Sequence, residues 1–226
     1  MAGQAEKSGL SKVLWFGVIQ LIALASGWVA SFVFLWGSFA NLTPSTLPQN
    51  PTPSQLAPAL VPLFRNLSLL IPVMAAVQVA SLTVLLFGFR QLKAVDARFS
   101  LPTTMTIVMV VGAIVVVAGA VPLLNALPNI IAQAPSTSGS SLPSGFTAAI
   151  ATVIGYFLLI LLGGLLNFIG LVGGQMLGLW RVGSRYDETL LKLGAIFAII
   201  PLLNIVAPVL VIVGADQAKR GISPPA

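Results

Sequence analysis

The sequence predicts an all-α fold: a polytopic helical membrane protein with about five transmembrane helices in one integral membrane domain, residues 1–226. Three observations carry that reading. Hydrophobic residues make up 57% of the chain and charged residues 7%, and the mean hydropathy is +1.02. A soluble domain needs roughly 25% charged residues to coat its surface, so a bilayer must replace water around much of this one. Long uncharged runs reach the about 20 residues that a helix needs to cross hydrocarbon. The eleven basic residues gather in short clusters beside those runs, where they suit anionic headgroups and orient the chain.

The expected spans are residues 13–36, 67–89, 105–124, 148–180 and 193–215. The first follows Lys7 and Lys12, and Ala23-Leu24-Ala25 within it resembles a cleavage site. The apolar run continues through Phe32, Val33 and Leu35, so a retained span is preferred over a removed signal. The uncharged stretch Phe146–Trp180 is read as one long tilted helix. The last stretch holds Pro201, Asn204 and Pro208. It is either a kinked span, the preferred form, or a re-entrant hairpin, because broken helix at membrane depth needs cover or water.

Residues 37–66 and 126–145 are expected to be outside loops. The first carries six prolines and should be extended. The second contains Ser136-Thr137-Ser138-Gly139-Ser140-Ser141, a flexible composition. Asn41-Leu42-Thr43 and Asn66-Leu67-Ser68 match the glycosylation acceptor pattern, with Asn66 close to the membrane. The placement of basic residues favours a cytoplasmic N-terminus in a multi-pass protein of the cell membrane. Lys7, Lys12, Arg90, Lys93, Arg98, Arg181, Arg185 and Lys192 then lie inside, and Arg65, Lys219 and Arg220 outside. A re-entrant last segment would return Lys219 and Arg220 to the inside.

Several chemistries are excluded by composition. The chain has no cysteine and no histidine, so it offers no thiolate, no imidazole ligand and no Ser-His-Asp triad. No cofactor or metal site is expected. The five acids, Glu6, Asp96, Asp187, Glu188 and Asp216, lie in tails, loops or at a span end, which argues against proton-driven transport. Nucleic acid is not an expected partner, since no basic stripe or binding motif accompanies the net charge of +6; membrane lipids are.

Small residues mark two helix faces. Gly163, Asn167, Gly170, Gly174 and Gly178 follow spacings of four, three, four and four, which puts them on one side of a helix. Such a face lets another helix approach closely, in the same chain or in an oligomer. Ala23, Gly27 and Ser31 form a second face, the natural partner for the first. Gln20, Gln78, Gln175 and Asn204 are amides within or near spans that need hydrogen-bond partners or line a polar path. Asn204 between Pro201 and Pro208 is the candidate solute site, because some carriers place an amide at a helix break. Trp180, Arg181 and Tyr186 read as an interfacial anchor.

The stretch Gly178-Leu179-Trp180-Arg181-Val182-Gly183, then Tyr186, Leu190-Leu191-Lys192-Leu193-Gly194 and Ile199 to Pro208, resembles the C-terminal signature of an uncharacterised archaeal multi-span membrane family, a domain of unknown function. That resemblance, strongest over residues 178–215, implies an archaeal cell membrane and a helical fold, and brings no activity, substrate or catalytic residue. The expected role is therefore not enzymatic. A scaffold or accessory subunit of a larger membrane complex, or a homo-oligomer, is the first expectation. A carrier or channel for a small neutral solute is the alternative.

Overall fold

The computed structural model describes residues 2–40, 52–133 and 144–222, and among them no strand occurs. Helix α1 is Ala2–Ala40 and α2 is Pro53–Lys93. A 3₁₀ turn, Ala97–Phe99, leads into α3, Ser100–Ala132. Helix α4, Ser144–Gly170, runs into a π segment, Leu171–Met176, and on into α5, Leu177–Arg185. Two shorter helices close the chain, α6 at Thr189–Phe197 and α7 at Ala207–Gly221.

Local chemistry explains the boundaries. Gln55 supplies half of a capping box at the start of α2: its Oε1 accepts from the Thr52 N–H at 3.0 Å, while the Thr52 carbonyl accepts from the Gln55 N–H at 3.0 Å. Pro53 follows at the first helical position, where its missing N–H costs nothing. Asp96 caps the 3₁₀ turn by accepting from Arg98 N–H at 3.0 Å. At the end of α5 the Glu188 N–H reaches back to the Gly183 carbonyl at 2.8 Å, and Asp187 between them has φ 53°. That is a Schellman ending with aspartate in the left-handed position glycine usually takes.

Among the described residues, four helices are long and apolar enough to cross a membrane: Gly3–Ser38, Pro53–Lys93, Ala97–Ala132 and Gly145–Arg185. Three expectations are corrected. Residues 53–66 are helix rather than extended loop, although Pro58, Pro62 and Pro72 lie inside α2. The residues around those prolines are apolar, and in hydrocarbon a backbone keeps its internal hydrogen bonds wherever it can. Residues 126–132 likewise continue α3 past Pro122 and Pro128. Residues 37–40 belong to α1 and 144–145 to α4; residues 41–51 and 134–143 lie outside the described residues, as does the Asn41 triplet.

The third correction concerns 193–215. This segment is no single kinked helix. Gly194 on α6 faces Val211, Leu210 and Ala207 of α7, and Gly214 on α7 faces Leu191 and Leu190 of α6. As one number rises the other falls, so α6 and α7 form an antiparallel hairpin turning at residues 198–206. The count of five spans becomes four long helices and a hairpin.

The chain divides into two compact units. The first comprises Met1–Ala25, Ala76–Ala113 and Gly163–Ala226. Its core is periodic: Leu10, Val13 and Phe16 on α1, Leu82, Leu85, Phe89 and Leu92 on α2, Val211, Ala215 and Ala218 on α7. Those spacings of three and four are one helical stripe each. Leu179, Val182, Leu191 and Ala195 from α5 and α6 complete the core. Glycines bring backbones together here. A side chain at Gly88 would stand 3.2 Å from the Gly9 carbonyl, and one at Gly174 only 2.8 Å from the Thr106 nitrogen of α3.

The second unit comprises Ser26–Ala75 and Ile114–Leu162. Gly27 on α1 receives Met74 of α2, and Asn66 Nδ2 donates to Ser38 Oγ at 3.0 Å. Gly119 on α3 lies against the Tyr156 carbonyl of α4, which a methyl group there would approach to 2.8 Å. Its outer faces are apolar and open, as at Trp28, Phe32, Trp36, Phe157 and Leu158.

Two stability measurements follow. Gly174→Val should lower unfolding free energy by about 1–3 kcal/mol, because two backbones must separate. Gly164→Ala, with open space around it, should cost nothing; tryptophan fluorescence during thermal unfolding in detergent reads both. Asp187→Val should cost about 1–2 kcal/mol at its left-handed backbone while Asp187→Gly should not, by the same assay.

Candidate functional site

Polar side chains inside apolar helices are costly unless partnered, so the site search starts from the amides. Gln20 lies on α1, Gln175 in the π segment and Asn204 in the turn between α6 and α7. All three line one small cavity with Phe16, Ala207, Pro208 and Val211. Its volume is about 10 Å³, near the least that admits a water molecule.

Two departures from regular helix deliver these amides. A π turn carries an extra residue per turn and recurs at functional sites. Here it contains the pair Gly173-Gly174, which lies against Met105 and Thr106 of α3. At the other wall, Pro208 sits in the first turn of α7, and Asn204 occupies the reversal before it. The Asn204 N–H donates to the Ile200 carbonyl at 2.8 Å, leaving its side chain for the cavity.

The amides differ in how they are engaged. Gln20 donates from Nε2 to Ser81 Oγ at 2.7 Å, and Ser81, fully buried, donates on to the Gln78 carbonyl at 2.8 Å. That leaves Gln20 Oε1 as an acceptor. Gln175 and Asn204 make no side-chain hydrogen bond to the described residues. The cavity thus presents donors and acceptors without formal charge.

The sequence-derived residues fall as follows. Gly163, Gly170, Gly174 and Gly178 are buried. A side chain at Gly112 of α3 would meet the Asn167 nitrogen at 2.5 Å and the Gly163 carbonyl at 2.8 Å. Gly170 faces Met109, Gly174 faces Thr106, and Gly178 lies on the ring of Phe89. Asn167 Nδ2 points to the Met109 carbonyl at 3.4 Å, at the limit of a hydrogen bond. The stripe is therefore covered by α3 and Phe89 of α2. Of the second small-residue face, Ala23, Gly27 and Ser31, Gly27 receives Met74 of α2. Pro201 is exposed at the turn, Asn204 half-buried and Pro208 buried.

Sequence reasoning missed Gly112 as the partner of Asn167 and Gly163. It named Gln20 and Gln175 without bringing them to Asn204. It also missed an ion-pair network. Arg185 pairs with Glu6 and, at 3.1 Å, with Asp96 Oδ2; Arg98 grips Asp96 at 2.8 Å, and Arg181 donates to the Arg98 carbonyl. The Arg98 side chain, then its backbone N–H, holds the Asp96 carboxyl well below the usual carboxylate range, with help from Arg185 and against desolvation. Tyr186, expected at the interface, packs on the core, and burial pushes its phenol up. The Arg185 guanidinium sits 5.8 Å from its ring centroid. Its hydroxyl is enclosed without a hydrogen bond of good geometry. Trp180 stays exposed.

The chain matches the family described as Protein of unknown function (DUF973) over residues 8–224, and it belongs to that family. No curated protein and no solved structure matches it.

The network makes stability pH-dependent in a known direction. A carboxylate with a lowered folded pKa stabilises above its unfolded value, 3.8, and that contribution is lost as pH falls through the folded pKa. Asp96→Asn should lower the melting temperature at pH 6, and the gap to the parent should shrink on titration below about pH 4.

Proposed function

We propose that this chain is a multi-pass protein of the cell membrane that binds a small neutral solute at the amide-lined cavity and lets it pass. One observation carries the reading: three carboxamides from three separate elements converge where a helix is locally rewound and the chain reverses. Neutral amides supply both donors and acceptors, which suits an uncharged hydrogen-bonding molecule. Four of the five acids are engaged elsewhere: Glu6, Asp96, Asp187 and Asp216 each pair with an arginine or lysine. That supports a role without acid–base chemistry and without ion coupling.

A cytoplasmic N-terminus is part of the proposal. With the four long helices as crossings, Lys7, Lys12, Arg90, Lys93, Arg98, Arg181 and Arg185 lie on the side of the N-terminus and Arg65 on the other. Basic residues mark the cytoplasmic side.

The scaffold or accessory-subunit reading loses its first motive, because α3 of the same chain covers the glycine stripe. It keeps a second. Ile154, Phe157, Leu158, Leu161 and Leu162 on α4 are each more than half exposed, a surface that lipid or a partner's helix can cover. Purification in mild detergent with mass spectrometry of what is retained tests it; a stoichiometric partner favours it.

The solute reading is tested in liposomes. Osmotic shrinkage, which reports passage of a neutral molecule of the size the cavity admits, should be faster with the protein than without. Asn204→Leu and Gln175→Leu should return it to the rate of empty liposomes while retaining the parent's melting profile. Parent-like flux in both variants would remove these amides from the path.

A further inference from the structure

We infer that α6 and α7 form a re-entrant hairpin, its turn embedded in bilayer hydrocarbon and both chain termini on one side of the membrane. The inference is independent of any solute. Length is the first argument. At 1.5 Å per residue, α6 with nine residues reaches about 13 Å and α7 with fifteen about 22 Å. Neither crosses a core of about 30 Å, and the two run antiparallel.

The turn itself is built for an apolar solvent. Its outward side chains are Ile200, Pro201, Leu202, Leu203, Ile205 and Val206, with Leu202 85% exposed. A water-facing turn is made of glycine, asparagine, aspartate and serine; this one has a single amide, aimed into the cavity. Most of its backbone donors are satisfied locally. The N–H groups of Ile199, Ile200, Leu203, Asn204 and Val206 reach carbonyls three or four residues back, and Pro201 has no N–H to satisfy. The N–H groups of Leu202 and Ile205 make no such bond, so the reversal meets most, though not all, of what hydrocarbon demands of a backbone.

Depth is the third argument. Gly17 of α1 meets the Pro208 carbonyl and Val211, and Gln20 lines the cavity with Asn204. The apolar run of α1 begins at Val13, so Gln20 stands about 11 Å along it, roughly a third of the way across. The hairpin bases are charged by contrast: Asp187, Glu188 and Lys192 before it, Asp216, Lys219 and Arg220 after it. Apolar tip and charged base orient the hairpin like a wedge entering from the side of the N-terminus. Four crossings by the long helices then leave both ends together, with ten basic residues on that side and Arg65 on the other.

The cysteine-free chain allows a direct test with single substitutions Gln4→Cys, Thr52→Cys, Leu202→Cys and Gln217→Cys in the full-length protein. A membrane-impermeant maleimide is applied to sealed vesicles, then again after permeabilisation. Gln4→Cys and Gln217→Cys should react from the same face and Thr52→Cys from the opposite one. Leu202→Cys should react from neither, and only in denaturing detergent. Labelling of Gln217→Cys together with Thr52→Cys would overturn the hairpin in favour of a fifth crossing. Leu202→Cys reacting from water as fast as Thr52→Cys would show that the turn is not in lipid.

Discussion

The close approach of α3 to the long α4–π–α5 helix is the constraint on which the first unit depends. Between helices in lipid there is no hydrophobic gain to hold them together, because acyl chains are as apolar as leucine. What remains is van der Waals contact and the occasional polar bond, and both fall off steeply with separation. Gly112, Gly170 and Gly174 remove the side chains that would hold the backbones apart. Thr106 and Met109 then lie directly against the facing helix. The thin 3.4 Å contact from Asn167 adds orientation more than energy. With that pair fixed, Gly178 accepts Phe89, and Phe89 stacks on Phe99 at 6.1 Å. The chain from α3 to α2 is thus a sequence of ring and backbone contacts seeded by absent side chains.

Charge is distributed in the opposite sense to packing. Every acid and ten of the bases belong to the first unit, where they tie elements distant in sequence. Arg185 holds Glu6 and Asp96, which come from the start of α1 and the turn after α2. Exposed ion pairs in water contribute little. These are half-shielded, with Asp96 11% exposed at the side chain, and doubly engaged, so the network fixes helix ends that the sparse apolar contacts leave free. The second unit has Arg65 alone and relies on Gly27, Gly119 and the Ser38–Asn66 bond.

Much of this was legible in the sequence, and the failures have physical causes. Membrane character and the four long helices follow from apolar runs, which report solvent directly. The start of α2 was misread although Thr52-Pro53-Ser54-Gln55 has the capping-box sequence pattern with proline at the first helical position, and Gln55 Oε1 accepts from the Thr52 N–H. Proline count outweighed cap chemistry, a rule learned from water applied to a segment that need not face it. The hairpin was read as the lesser option because its apolar run has the length of a span, and run length alone cannot tell one crossing from two half-crossings. The glycine stripe was seen, but its partner was sought on α1. Gly112 and Gly119 on α3 are the signal for the true pairing, spaced seven apart and thus on one face. The Glu6–Arg185 pair, 179 residues apart, has no local signature at all.

The amide cavity was half legible for the same reason. Gln20, Gln175 and Asn204 stood out singly as polar residues in apolar surroundings, but only tertiary structure sets them around one space. A purely structural use of these amides would pair each with a backbone carbonyl or a neighbouring hydroxyl, as Gln20 does with Ser81 and Asn66 with Ser38. Gln175 and Asn204 instead face the void. Each sits at an irregularity, the π segment and the reversal before Pro208, where regular helix would have pointed its side chains elsewhere. Two independent departures from helical geometry thus end at the same small polar space. A water there would meet amide groups from three elements, the number of partners a buried water ordinarily has.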